Sequence, residues 1–255
     1  MPRWENCHTL QYTKTPASWR LVNQNKGNGE EIVFTIQGVI EHKSLPPIPG
    51  DRKSRPLTPF RIVSSKPHLL QQSVTLTGLG TESFESSIEA LIKIHNVLSH
   101  EFPEGKLTAW QPATTGWTSG RGLTLTNRYF TNRSEGSGMQ NVPFSTDVDP
   151  KGVLTKMLNN KLIHTKENEV KHYTRYSDLG NNFRYLKSKP QFFRVGDIVE
   201  IQFSLVVFQM RTEQYILKPM LYSIALLDGQ YGNVSFHGST NHSFLNAPIS
   251  GTGTT

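Results

Sequence analysis

Between Lys151 and Lys189 the chain carries nine lysines and arginines against three acids, Glu167, Glu169 and Asp178. That stretch holds most of the whole-chain charge of +7. Aromatic residues are interleaved with its cations. If Val170–Tyr176 is a strand, its side chains alternate, and Lys171, Tyr173 and Arg175 point to one face. Lys161, Lys166, Arg184, Tyr185, Lys187 and Lys189 flank them. Cations that neutralise phosphates, together with rings that stack on bases, are what sequence-tolerant binding of single-stranded nucleic acid requires. A solubilising strand face with Tyr173 packed against a neighbour would use the same residue types. The candidate interface is therefore Lys161, Lys166, Lys171, Tyr173, Arg175, Arg184, Tyr185 and Lys187.

Other chemistries find less support. The segment Gly78-Leu79-Gly80-Thr81-Glu82-Ser83 lies between an apolar strand pattern and a helix, the order in which dinucleotide folds present backbone N–H groups to a pyrophosphate. Ser83 replaces the third glycine, Glu82 and Glu85 would repel phosphates, and no alternating βαβ pattern follows. An ordinary tight turn into a helix is the expectation. Nine histidines raise the question of a metal. However, no H-x-D, H-x-E or H-E-x-x-H occurs, and in the hairpin register proposed below His164 and His172 fall on opposite faces. Asp147 and Asp149, just before Pro150, suit an Asx-type turn better than a catalytic carboxylate pair. There is no G-x-S-x-G, and Cys7 is the only cysteine, which excludes an internal disulfide and a multi-cysteine zinc site. No catalytic residue, metal ligand or cofactor is assigned.

These residues need elements to hold them. A strand is expected at Ile32–Ile40, a proline-rich basic connector at Leu45–Pro56, and short strands at Phe60–Ser64 and Ser73–Thr77. From Ser83 to about His100 the apolar residues keep helical spacing, and Pro103 and Gly105 stop the run. Residues 106–150 alternate short β-like runs with turn residues, with a mobile loop expected at Arg133–Gly138. Leu162–Thr165 and Val170–Tyr176 flank Lys166–Glu169 as a hairpin. A long strand, Ile198–Met210, returns through Arg211–Gln214 into Tyr215–Leu227, and the tail from Gly238 reads as unstructured.

The pieces Asp147-Val148-Asp149-Pro150, Ile163-His164-Thr165 with Asn168 and Val170, Phe193-Arg194-Val195-Gly196-Asp197-Ile198-Val199-Glu200, and Ser223-Ile224-Ala225-Leu226-Leu227-Asp228-Gly229 carry a resemblance. Over residues 144–229 the chain resembles a family of uncharacterised proteins abundant in mushroom-forming fungi. The resemblance implies a source and no mechanism.

At 255 residues and 35% apolar content the chain can bury a core, and no apolar run approaches the roughly 20 residues that span a bilayer. The N-terminus has no apolar leader pattern, so a cytoplasmic or nuclear, non-secreted protein is expected. The fold expected is mainly β, an antiparallel sandwich or barrel with one helix packed on a sheet. Its regions would be 1–132, 139–237 and a flexible tail 238–255, or one continuous domain. The function expected is non-catalytic nucleic-acid binding. The alternatives are an interaction or self-assembling module forming a homo-oligomer, and an enzyme using His164, Asp147 and Asp149.

Overall fold

The computed structural model describes residues 8–24, 29–48, 66–116, 120–136, 138–177, 183–210 and 212–229. Its strands are β1 (His8–Lys14), β2 (Ala17–Asn23), β3 (Glu30–Glu31), β4 (Phe34–Ser44), β5 (Gln71–Thr77), β6 (Ala113–Thr114) and β7 (Arg121–Arg128). They continue with β8 (Thr131–Asn132), β9 (Leu162–Ile163), β10 (Lys171–Ser177), β11 (Phe183–Lys187), β12 (Ile198–Gln209) and β13 (Tyr215–Asp228). One α-helix, α1 (Glu82–Ser99), lies between β5 and β6. The mainly-β class and the single helix against a sheet are as expected.

The sheet closes on itself. β12 pairs with β4, β4 with β5, β5 with β7, β7 with β13 in parallel, and β13 again with β12. The result is a five-stranded barrel in which every other neighbour is antiparallel. Three of its strands precede residue 129 and two follow residue 197. Val199, Ile201, Phe203, Leu205 and Val207 alternate inward along β12, each at most 2% exposed. Across from them lie Ile36, Ile40, Val74, Leu76, Leu123, Leu125, Leu221 and Ile224 in the same core.

Helix α1 covers part of this core with Phe84, Ile88, Leu91, His95 and Leu98, a spacing that keeps one face inward. Gly78 is why the helix can sit so close. A Cβ there would lie 2.3 Å from the Phe84 Cβ. Leu79 and Gly80 take positive φ (51° and 82°), so the G-x-G segment is a tight turn into a helix, as expected. Glu85 and Glu89 of the helix pair with Arg121 of β7.

Two additions extend the barrel. The β1–β2 hairpin, absent from the sequence expectations, joins β12 through Val206↔Arg20 and Val207↔Trp19, beyond the reach of β4. Residues 129–197, inserted between β7 and β12, contribute Tyr129, Phe130, Leu154 and Leu162 to a small second core shared with Leu70, and then supply β10 and β11. The expected hairpin of Leu162–Thr165 with Val170–Tyr176 does not form. β9 pairs instead with β8, and β10 pairs with β11 and β13. The cause is local: Thr165 and Asn168 make a capping box that turns Lys166–Asn168 into a 3₁₀ helix.

The expected Leu45–Pro56 connector from residue 49 onward, the Phe60–Ser64 strand, Cys7 and the tail from Gly238 fall outside the described residues. Among the described residues, no helix is long and apolar enough to cross a membrane.

Candidate nucleic-acid interface

β10 is held on both sides. Lys171–Thr174 pair in parallel with Ser223–Leu226 of β13, and Tyr173–Ser177 pair antiparallel with Phe183–Lys187 of β11. Strand alternation then fixes which residues share a face. Lys171, Tyr173 and Arg175 lie on one side with Lys187 opposite Tyr173, Tyr185 opposite Arg175, and Phe183 opposite Ser177. The register carries this face across the barrel wall. One row runs Lys187–Tyr173–Ala225–Glu200–Gln37, and the next runs Lys171–Ser223–Gln202–Thr35.

The face is open. All five residues of β11 are exposed, with Phe183 at 57% and Tyr185 at 45%. The Arg175 guanidinium carbon stands 4.5 Å from the Phe183 ring centroid, a cation–π contact. The Tyr185 hydroxyl donates to Glu200 Oε1 at 3.1 Å, and Gln37 Nε2 donates to Glu200 Oε2 at 2.8 Å. Partial burial, and then the carboxylate beside it, push the Tyr185 phenol up. Glu200 is the one acid in these two rows. Lys171 and Lys187 have no acidic partner among the described residues. Tyr173 is half-buried within its row.

The reverse side of the hairpin is different in kind. His172 is buried against Phe193 with ring centroids 5.8 Å apart, and its Nε2 has no hydrogen-bond partner among the described residues. Burial pushes its pKa down to about 4, with Asp147 opposing. Thr174 Oγ1 donates to Ser188 Oγ at 3.0 Å. Arg184, grouped with the interface on sequence grounds, belongs to this side, since it pairs with Tyr176. Lys161 stands at the start of β9, its backbone N–H donating to Asn159 Oδ1 and its carbonyl accepting from Arg133, outside both rows. Thus Lys171, Tyr173, Arg175, Tyr185 and Lys187 come together, whereas Lys161 and Arg184 do not join them. Phe183 was not among the sequence candidates, although the alternation Phe183-Arg184-Tyr185-Leu186-Lys187 contains the signal.

Next to the Lys171 row lies a cavity of about 400 Å³. It is lined by Arg20, Glu31 and Val33 on one side, Lys166, Glu167, Glu169 and Lys171 on the other, and Gln202, Tyr222 and Ser223. Lys166, the remaining sequence candidate, stands here. Arg20 organises one wall. It donates to Glu31 Oε2 and Glu167 Oε2, each at 2.9 Å, and to the Tyr222 hydroxyl at 3.0 Å. Burial raises the Glu167 carboxyl above the usual range, and Arg20 offsets this only in part.

Two residues of the enzymatic alternative, His164 and Asp149, are occupied structurally. His164 is buried, its Nδ1 2.8 Å from the Tyr129 carbonyl and its ring stacked 3.9 Å from Phe144. Asp149 accepts from the Leu154 and Thr155 N–H groups and from Thr155 Oγ1, so it caps a turn. Among the described residues, no group of three or more His, Cys, Asp or Glu is placed to hold a metal ion.

No family model matches the chain, and no curated protein matches it. Among solved structures, the chain is similar to the crystal structure of gp2.5, a single-stranded DNA-binding protein encoded by bacteriophage T7. The TM-score is 0.40 with 11% identity, over 82% of this chain and 98% of that one.

Proposed function

We propose that the protein binds single-stranded nucleic acid, with little dependence on sequence, across the outer face formed by β11, β10, β13 and β12. The observation that carries this is the face itself. Lys171, Arg175 and Lys187 alternate with Tyr173, Tyr185 and Phe183 on one face, exposed along β11 and half-exposed at Tyr173 and Arg175, whose register continues over the barrel wall. Phosphates require unpaired cations, and bases of any sequence offer π-faces for rings to stack on. Glu200 opposes an anion on this face, but its two oxygens are engaged by Tyr185 and Gln37.

Ring closure in this strand order is shared with small Greek-key barrels that bind oligonucleotides, a fold-level analogy only. That class uses the face of its second and third strands, here β5 and β7. Outward residues there are Gln71, Ser73, Thr75, Thr124, Thr126 and Arg128, and none is aromatic. The hairpin face is the better stacking platform.

Fluorescence anisotropy of a labelled thymidine oligomer, titrated at several salt concentrations, tests the proposal. Lys171→Gln, Arg175→Gln and Lys187→Gln together should flatten the slope of log K against log[salt] by about 2, at roughly 0.7 per phosphate contact. Tyr173→Ala should weaken binding by about 1–3 kcal/mol and leave the slope in place. Affinity too weak to measure at low salt, or a slope that the three substitutions do not alter, refutes it.

A further inference from the structure

The cavity beside the interface has a distribution of unmet groups that suits one nucleotide. Glu31 is fully engaged by Arg20 and Tyr222. Glu167 spends Oε2 on Arg20, and its Oε1 has no partner among the described residues. The Glu169 carboxylate likewise has no hydrogen-bond partner there, and among the described residues Lys166 and Lys171 have no acidic partner. Gln202 accepts from Ser223 through Oε1, which leaves its amide hydrogens to point elsewhere. The cavity therefore offers acceptors on Glu167 and Glu169 and free ammonium groups on Lys166 and Lys171. It also shares Lys171, Ser223 and Gln202 with the second row of the binding face, so a strand lying on that face passes over it.

We infer that this cavity receives one base of the bound strand, with Lys166 and Lys171 on its phosphates and Glu167 and Glu169 on its hydrogen-bonding edge, and that at this one position, beside an otherwise sequence-tolerant face, it favours guanine. The inference rests on the proposed single-strand binding. Guanine presents an N1–H and an N2 amine side by side, two donors that Glu167 Oε1 and the Glu169 carboxylate accept together. Adenine and cytosine present one exocyclic amine each. Thymine and uracil present a single imide N–H between two carbonyl oxygens, which meet the carboxylate lone pairs unfavourably. A volume of about 400 Å³ holds a purine with room for solvent. The wall is also preset: Arg20 fixes Glu167 from behind, which lowers the ordering cost of binding.

The test uses the full chain and short labelled thymidine oligomers in which separated positions carry dG, dA, dC or deoxyinosine, compared by anisotropy at low salt. Oligomers with dG should bind about tenfold tighter than all-thymidine ones, the scale of a good two-donor contact. Deoxyinosine, which keeps N1–H and lacks the N2 amine, should recover only part of that gain. Glu167→Gln and Glu169→Gln should each bring the dG-to-dT ratio down toward one. Glu169 is exposed and its carboxylate makes no hydrogen bond among the described residues, so its variant reads out even if the Glu167 variant unfolds. Equal affinity for all bases, or a guanine preference that survives the Glu169 variant, overturns the inference. Salt-dependent binding of the thymidine oligomer would then still uphold the face. Failure of every oligomer to bind removes both.

Discussion

Lowering the pH should destabilise the fold through His172, which anchors the underside of the binding hairpin. The residue is 7% exposed, packed on Phe193, with its pKa pushed down to about 4 from 6.5 by burial. Above the unfolded pKa the ring is neutral in both states and contributes no pH dependence. As pH falls below it, the unfolded chain takes up a proton that the folded chain refuses, so stability declines until the folded pKa is passed. The displacement from 6.5 to about 4, at roughly 1.4 kcal/mol per unit, corresponds to about 3 kcal/mol at full extent. About 2 kcal/mol of this is lost by about pH 5. Urea unfolding followed by tryptophan fluorescence, from neutral pH to about pH 5, measures it. His164, also lowered by burial, adds to the same trend. Glu167 and Asp197, both raised by burial, oppose it. The informative quantity is therefore the difference between the native chain and His172→Leu, which removes only the His172 contribution. If the two chains lose stability in parallel over this range, the buried-neutral assignment of His172 is wrong.

Gly78→Ala should cost about 1–3 kcal/mol in the same unfolding assay, because the added methyl meets Phe84 at 2.3 Å, and should leave nucleotide affinity untouched. Arg20→Met should destabilise by about 3 kcal/mol or more, since it leaves Glu31 and Glu167 facing each other in a half-buried wall without their cation. A loss under about 0.5 kcal/mol would show the cluster to be solvated. Phe183→Ala should cost less than 1 kcal/mol of stability, as its contact with Arg175 is exposed, but should weaken oligonucleotide binding measurably in the anisotropy assay.

Strong periodicity made α1, β5, β12 and β13 legible, with ends within about two residues of those observed. In each, apolar side chains recur at one period over a long run. The face shared by Lys171, Tyr173 and Arg175 followed from alternation alone. What was not legible depends on partners remote in sequence. β10 finds β13 some fifty residues away, and no local signal distinguishes that from pairing across Lys166–Glu169. The Thr165–Asn168 box was present in the sequence and, given its due weight, would have argued against the hairpin. β2 escaped because Arg20 interrupts its apolar pattern, and only the cavity wall shows why an arginine stands there. The cavity brings together residues 20, 31, 167, 202 and 222, a grouping that closure of the barrel creates.

The closure also imposes an order on assembly. β4, β5 and β7 can pair as soon as they exist, but their outer edges wait for β12 and β13, the first of which begins seventy residues after the end of β7. During synthesis the first three strands of the barrel emerge as an open meander, its outer edges covered only where β6 meets β7 and its apolar face covered only in part by α1, the condition in which chains associate wrongly. The Lys/Arg-rich insertion emerges in that interval, so its charge would hold neighbouring nascent chains apart until the last hairpin seals the ring.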